Sequence, residues 1–290
     1  MRPPCSGDVG GDGRGASPRR AAALAALTVL AGAGCAGGPG ATSGPGAGSA
    51  QPRASAAQAC AIPGEPTLVR SDGAATLERW DLDAIPVLFE PVLPADPAYA
   101  AFRAAIREAG AELEHPIADA PEPRDDAERE LWRREDRNRE IAYAGRAGTI
   151  RPIRCLEAWF FARQHARFSE LTSPTEFLLS VLEHTAGGRR RLRLYFTAGD
   201  QLFPPKSLYP FPDIAADVAQ GWTFTVMLHN HTIRRRGDRP ALGVTSPSTS
   251  DVQISRGLAA DLRLGAAWIT NGVYTIEIPA AALDQYVTRE

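Results

Sequence analysis

Two histidines one residue apart, His229 and His231, close the β-type run Thr223-Phe224-Thr225-Val226-Met227-Leu228. Side chains on a strand alternate between its faces, so the pair points the same way and both imidazoles can reach one divalent ion. Only 5 of the 290 residues are histidine, although two polar residues at a strand end would be the plainer reading. Downstream, Asp251 follows Ser248 in Pro247-Ser248-Thr249-Ser250-Asp251, where a helical stretch begins. A carboxylate there would stand near the end of the preceding strand and complete a set of two histidines and one carboxylate. Imidazole and carboxylate suit Zn2+, and three protein ligands leave a fourth position where a water becomes acidic. Ser-x-x-Asp is also the pattern of a capping box, with Ser248 as N-cap. Upstream, Glu176 in Ser173-Pro174-Thr175-Glu176-Phe177-Leu178-Leu179 is the candidate general base. The apolar run behind it implies desolvation, which raises a carboxyl pKa and suits the group to accept a proton. It too has a capping alternative, with Ser173 as N-cap and Pro174 as first helical residue. Glu170 and Glu183 are weaker candidates for the same role.

The elements that must position these groups can be read along the chain. Residues 67–69 and 85–89 read as short strands broken by prolines. Residues 96–111 read as a helix with Tyr99, Phe102 and Ile106 on one face. Residues 124–141 alternate acids and arginines, the pattern of a solvated helix with i,i+4 ion pairs, or alternatively of a partner-binding surface. Residues 148–153 read as a strand, 156–170 as a helix, 175–184 as a short apolar helix and 191–196 as an alternating strand. A helical turn at 214–220 precedes the His-x-His strand, and 248–264 is helical after the long loop from Thr232. Strands at 266–270 and 273–278 flank Asn271-Gly272, a favoured two-residue hairpin turn. This order implies an α+β domain at 148–290 whose mixed, mostly antiparallel sheet is flanked by helices. It is preceded by an N-terminal α/β region, residues 63–147, whose role the sequence leaves open.

A hydrophobic fraction of 44% and a charged fraction of 23% fit a globular chain with one large core or two modest ones. The net charge of −2, with Lys206 the sole lysine, argues against a nucleic-acid partner. Arg19-Arg20 and the apolar residues 21–30 have the pattern of an export signal too short to span a bilayer. Ala31-Gly32-Ala33-Gly34-Cys35 resembles the bacterial lipobox, with Gly32 in place of the usual leucine, so residues 1–35 are expected to be a lipoprotein signal that anchors the chain to a membrane at Cys35. Simple cleavage and secretion is the alternative. Residues 36–62, rich in Gly, Ala, Ser and Pro, read as a flexible tether. Cys5 precedes the apolar segment, which leaves Cys60 and Cys155 as candidates for a disulfide in an oxidising compartment.

The order glutamate, His-x-His, Ser-x-x-Asp resembles the JAMM (MPN/JAB-type) metalloprotease family over roughly residues 150–290. In that resemblance Glu176, 53 residues before His229, corresponds to the family's glutamate, His229, His231 and Asp251 to its metal ligands, and Ser248 to its serine. The text from His229-Asn230-His231 through Gly237-Asp238-Arg239-Pro240 to Ser255-Arg256 is also similar to the RadC branch of the same fold, and Trp268-Ile269-Thr270-Asn271-Gly272-Val273-Tyr274 resembles the family's last strands. The resemblance implies a JAMM/MPN-like (cytidine-deaminase-like) fold and an exported zinc-dependent hydrolase of peptide or isopeptide bonds. A catalytically silent module of the same fold, carried on a lipoprotein and binding a protein or cell-wall partner, is the alternative. Two departures stand out: Thr232 follows the second histidine where proline is usual, and sixteen residues separate His231 from Ser248, more than the family's spacing. The surplus, with Arg234-Arg235-Arg236, must loop out for Asp251 to reach the histidines; otherwise Asp238 is the fallback ligand.

Overall fold

A computed structural model describes residues 60–111, 122–236 and 239–289. In chain order the elements are β1 (Thr67–Asp72), β2 (Ala75–Asp83), α1 (Pro97–Glu108), α2 (Asp126–Tyr143), β3 (Thr149–Pro152), α3 (Cys155–Arg167), β4 (Leu178–Ala186) and β5 (Arg189–Ala198). There follow α4 (Phe211–Ala219), β6 (Thr223–Asn230), β7 (Arg234–Arg236), β8 (Arg239–Ala241), α5 (Thr249–Leu262), β9 (Ala266–Thr270) and β10 (Tyr274–Pro279). Eight strands form one sheet in the order β1-β2-β5-β4-β6-β9-β10-β3, and β7 and β8 pair separately. Only β6 and β9 run parallel among the described strands; the other pairs are antiparallel. The fold is therefore α+β, with a mixed, mostly antiparallel sheet flanked by helices.

The strands at the centre are covered on both faces, and that explains their composition. In β4, Leu179 and Val181 join the cluster that includes Phe160, Phe161, Leu194, Phe196 and Leu228. Leu178 and Leu182 join the opposite cluster with Tyr195, Ile214, Phe224, Met227 and Leu258. A strand buried on both faces presents an unbroken apolar run, which periodicity alone does not separate from a buried helix. The helix expected at 175–184 is accordingly corrected to strand β4. Residues 85–89, expected as a strand, form a 3-10 turn over Pro86–Phe89, while the expected set lacks β2. In β2, Ala75 and Leu77 pack on one face and Trp80 and Leu82 on the other, so simple alternation fails halfway along the strand.

Residues on both sides of position 148 build the one sheet. Strand β2 pairs with β5 from Thr76↔Ala198 to Asp83↔Arg191, so residues before 148 build one side of the same sheet. Helix α1 packs on α3, with the Phe102 and Phe161 ring centroids 4.7 Å apart. Its N-cap Asp96 accepts hydrogen bonds from the Ala98 and Tyr99 N–H groups, and its other carboxylate oxygen accepts from Cys60 N–H at 3.0 Å. Cys60 and Cys155 form a disulfide with Cα atoms 5.0 Å apart, which ties the start of the described chain to the first residue of α3.

Helix α2 carries the i,i+3 and i,i+4 pairs its charge pattern implies, among them Arg124–Glu128 and Arg134–Glu130. One stripe nevertheless faces inward: Ile141 and Ala142 pack with Val252, Ile269 and Ile276, and the Asn138 side chain bonds both the N–H and the carbonyl of Val287. Among the described residues no helix is long and apolar enough to cross a membrane. The expected export signal and all of the tether up to residue 59 lie outside the described residues.

Candidate metal centre

Three pieces of backbone geometry bring the site together. The first is the β4/β6 register, in which Leu178 stands opposite His229. Just before β4, Phe177 N–H donates to Asn230 Oδ1 at 2.6 Å, so it is the Asn230 side chain that holds this segment. The second is the parallel pairing of β6 with β9, where His229 faces Ile269 and His231 N–H donates to the Thr270 carbonyl at 2.8 Å. A crossover between parallel strands must return the chain to the starting end, so the connecting helix α5 runs against them and begins beside the C-terminal end of β6. Asp251 lies in that first turn.

The third is the capping box that opens α5. Asp251 N–H donates to Ser248 Oγ at 3.1 Å, and Ser248 N–H donates to Asp251 Oδ2 at 2.8 Å. The capping reading of Ser-x-x-Asp holds, and the same carboxylate faces the histidines. The long loop after His231 does return. It forms the β7/β8 hairpin, and Gly243 then lies flat against the outgoing chain, where a Cβ would sit 2.7 Å from the carbonyl oxygens of His231 and Thr232. Asn271 Nδ2 donates to Gly243 O at 3.0 Å and ties this return to the β9–β10 turn. That turn closes on Gly272 and Val273, one residue later than expected, with Asn271 Oδ1 accepting from Val273 and Tyr274 N–H. The fallback ligand Asp238 lies outside the described residues.

His229 Nε2 and His231 Nε2 are 3.3 Å apart. Asp251 Oδ2 is 3.2 Å from His231 Nε2, and Asp251 Oδ1 is 3.4 Å from His229 Nε2. The two histidines approach different oxygens of the Asp251 carboxylate, and one ligand atom from each of the three residues lies within 4.8 Å of the others, a group that could hold a metal ion. The His231 Nδ1–H donates to the Val244 carbonyl at 2.7 Å, which fixes the tautomer and leaves the Nε2 lone pair facing inward. Lone pairs of two imidazoles and a carboxylate that converge in this way repel unless a proton or a cation lies between them.

The electrostatics agree. Burial would lower the His231 pKa, but the hydrogen bond and charge of Asp251, with the charge of Glu176 and the Val244 carbonyl, raise it above its ordinary value. Burial would raise Asp251, and the two histidines instead hold it well below the usual carboxylate range. Surroundings that favour a shared proton also favour a divalent cation, and binding the cation releases the proton.

Glu176 is half-buried in the extended segment just before β4, and its N–H donates to the Leu202 carbonyl at 2.8 Å. It is not at a helix start, so the capping alternative for it falls away. Its charge is felt by His231, by the half-buried Tyr209, whose phenol is pushed up by burial and then by that charge, and by Glu170. Glu183 is excluded as base: it pairs with Arg190 at 2.5 Å, and its register partner Thr223 is at the opposite end of β6. Glu170 is fully buried on the other side of the sheet edge.

Three contributors lie outside the residues singled out from the sequence. Glu135 of α2 accepts from Thr249 N–H at 3.0 Å and from Thr249 Oγ at 2.8 Å, holding the first turn of α5 from outside. Burial raises its carboxyl pKa, Thr249 counters this, and Asp251 adds to it. Its signal was a polar residue inside the stripe that ends at Asn138 and Ile141. Tyr209 carried no signal. Asn230 lay in plain view between the histidines, but on the face that points away from them. Comparison with known protein families, with curated proteins and with solved structures gives no match to this chain.

Burial, with the Glu176 charge beside it, raises the Glu170 pKa well above its ordinary value of 4.5, against the hydrogen bonds from Ile233 N–H and Asn230. A carboxyl that binds its proton more tightly in the folded chain stabilises the fold below the unfolded pKa. That contribution is lost as pH rises towards the folded value. In metal-free protein, Glu170→Gln is therefore expected to be more stable than the wild type, by a margin that opens above pH 4.5 and widens with pH. Urea midpoints measured across the pH range check this, and parallel curves would refute it.

Proposed function

We propose that the chain is a zinc-dependent hydrolase of peptide or isopeptide bonds, with His229, His231 and Asp251 as metal ligands, Glu176 as general base and Ser248 as a hydrogen-bond donor to substrate. The observation that carries this is the convergence of His229, His231 and Asp251, one ligand atom of each lying within 4.8 Å of the others. Bound Zn2+ would supply Lewis acidity, polarising a carbonyl and acidifying a water. The protein's own groups do the rest. Glu176, whose charge reaches His231, takes a proton from the attacking water and returns it to the leaving amine. Ser248 Oγ accepts from Asp251 N–H, so its own hydroxyl proton remains to be donated to the oxygen that gains charge. Leu202 and Phe203, 50% and 57% exposed, adjoin Glu176 through the Leu202 carbonyl and offer apolar surface to a peptide side chain. The JAMM-like order of these residues supports the same reading. So does the amino-terminal signal pattern, with Cys35 as the lipid anchor that would hold the enzyme at a cell-envelope membrane.

The deciding experiment is metal analysis of purified protein after reconstitution with Zn2+, together with mass spectrometry of a peptide pool incubated with it. One zinc per chain, lost in His231→Ala and Asp251→Ala, and new cleavage products are the expected results. Absence of stoichiometric zinc would overturn the hydrolase and leave a binding module of the same fold.

A further inference from the structure

Glu176 is one end of a buried device on the opposite face of the sheet. The residue between the metal-binding histidines, Asn230, is fully buried, and the period of a strand turns its side chain away from theirs. Its amide grips the two residues that flank Glu176. Oδ1 accepts from Phe177 N–H at 2.6 Å, and Nδ2 donates to the Thr175 carbonyl at 3.1 Å. One contact demands an acceptor and the other a donor, so the amide has a single orientation. Nδ2 also donates to Glu170 Oε1 at 3.3 Å. Glu170 is buried at 0% exposure, accepts from Ile233 N–H two residues beyond His231, and has in Oε2 an atom without a hydrogen-bond partner among the described residues. Gln164, also buried, donates to Thr175 Oγ1 and to the Gly199 carbonyl. The segment 175–177 is thus pinned by side-chain amides, and the strongest pin belongs to the strand that carries the ligands.

We propose that Asn230, backed by Glu170, is the positioning residue that holds Glu176 over the metal centre. One tripeptide would then set both the ligands and the base, with ligands on one face and the clamp on the other. The proposal rests on the metal-centre reading above. Polar groups buried at this depth cost several kcal/mol when left unpaired, and here every bond of the Asn230 side chain goes to Glu176's neighbours or to Glu170. A misplacement of about 1 Å at a reacting centre costs on the order of 10²-fold in rate, which is the scale on which such a clamp matters.

The test needs no substrate. Cobalt(II), loaded in place of zinc, has a visible absorption that follows coordination geometry, and its pH midpoint reports a charge held close to the ion. Glu176→Gln is expected to displace that midpoint by about one pH unit, the effect of removing a near charge. Asn230→Ala is expected to displace it in the same direction while cobalt affinity is kept, because all three ligands remain. The double variant is expected to move no further than Glu176→Gln alone. Asn230→Leu, which keeps the buried volume, makes the same measurement should alanine unfold the chain. A wild-type midpoint in both Asn230 variants, or shifts that add to that of Glu176→Gln, would overturn the positioning role with the metal centre intact. Failure of the wild type to bind cobalt would overturn the metal centre itself, and this proposal with it.

Discussion

Glu176→Gln is expected to keep one zinc per chain and to lose turnover by on the order of 10³-fold, within the range that general acid–base groups contribute. Glu176 lies outside the group of His229, His231 and Asp251 that could hold an ion, and those three side chains are placed by strand β6, by the Val244 carbonyl and by the α5 capping box, none of which includes it. Glutamine keeps the shape and the N–H bond to Leu202 but cannot take a proton. Metal analysis and cleavage assays on the same preparation separate the two effects. A rate equal to the wild type's would end the assignment of Glu176, and loss of zinc would make it a ligand or a support for one.

The second large effect is expected at a distance from the chemistry. Replacing Cys60 and Cys155 by serine opens a cross-link across 95 residues, a loop that in the chain-entropy account stabilises a fold by about 4–5 kcal/mol. For a body of this size the melting temperature should fall by roughly 10 °C or more. The cost should be concentrated at the start of the described chain, because Cys60 N–H bonds the N-cap of α1 and Cys155 opens α3. Both elements cover the sheet face opposite the histidines, so zinc stoichiometry is expected to survive. Thermal unfolding with and without the cysteines reads the first point and metal analysis the second. A melting point that does not move would mean that the segment before β1 is already held by its non-covalent contacts.

Much of this was legible in the sequence, and the failures have physical causes. The His-x-His strand, the helix behind Ser248, and the amphipathic α1 and α3 follow from periodicity and caps, which are local signals. Strand β4 failed because Phe177 to Leu182 are buried on both faces, and a run without alternation carries no period to read. Strand β2 failed because its covered face changes between Leu77 and Trp80. Pairing of β2 with β5 is a contact between residues more than a hundred positions apart, and nothing in either segment encodes it. At the site, Asp251 was visible through its serine, whereas Glu135 was hidden in a helix whose charges look like a solvent-facing ladder. Its inward direction is set by Thr249, 114 residues away.

The alternation of His229, Asn230 and His231 has a consequence for how the site can fail. Slipping β6 by a single residue against β4 would turn both imidazoles into the apolar layer and bring the amide out beside Asp251. No intermediate arrangement retains two ligands, or retains the ligands without the grip on Glu176's neighbours. The strand therefore behaves as a key with one insertion depth: a form of this protein with β6 out of register should bind metal far more weakly, and metal affinity itself becomes an assay of correct strand register.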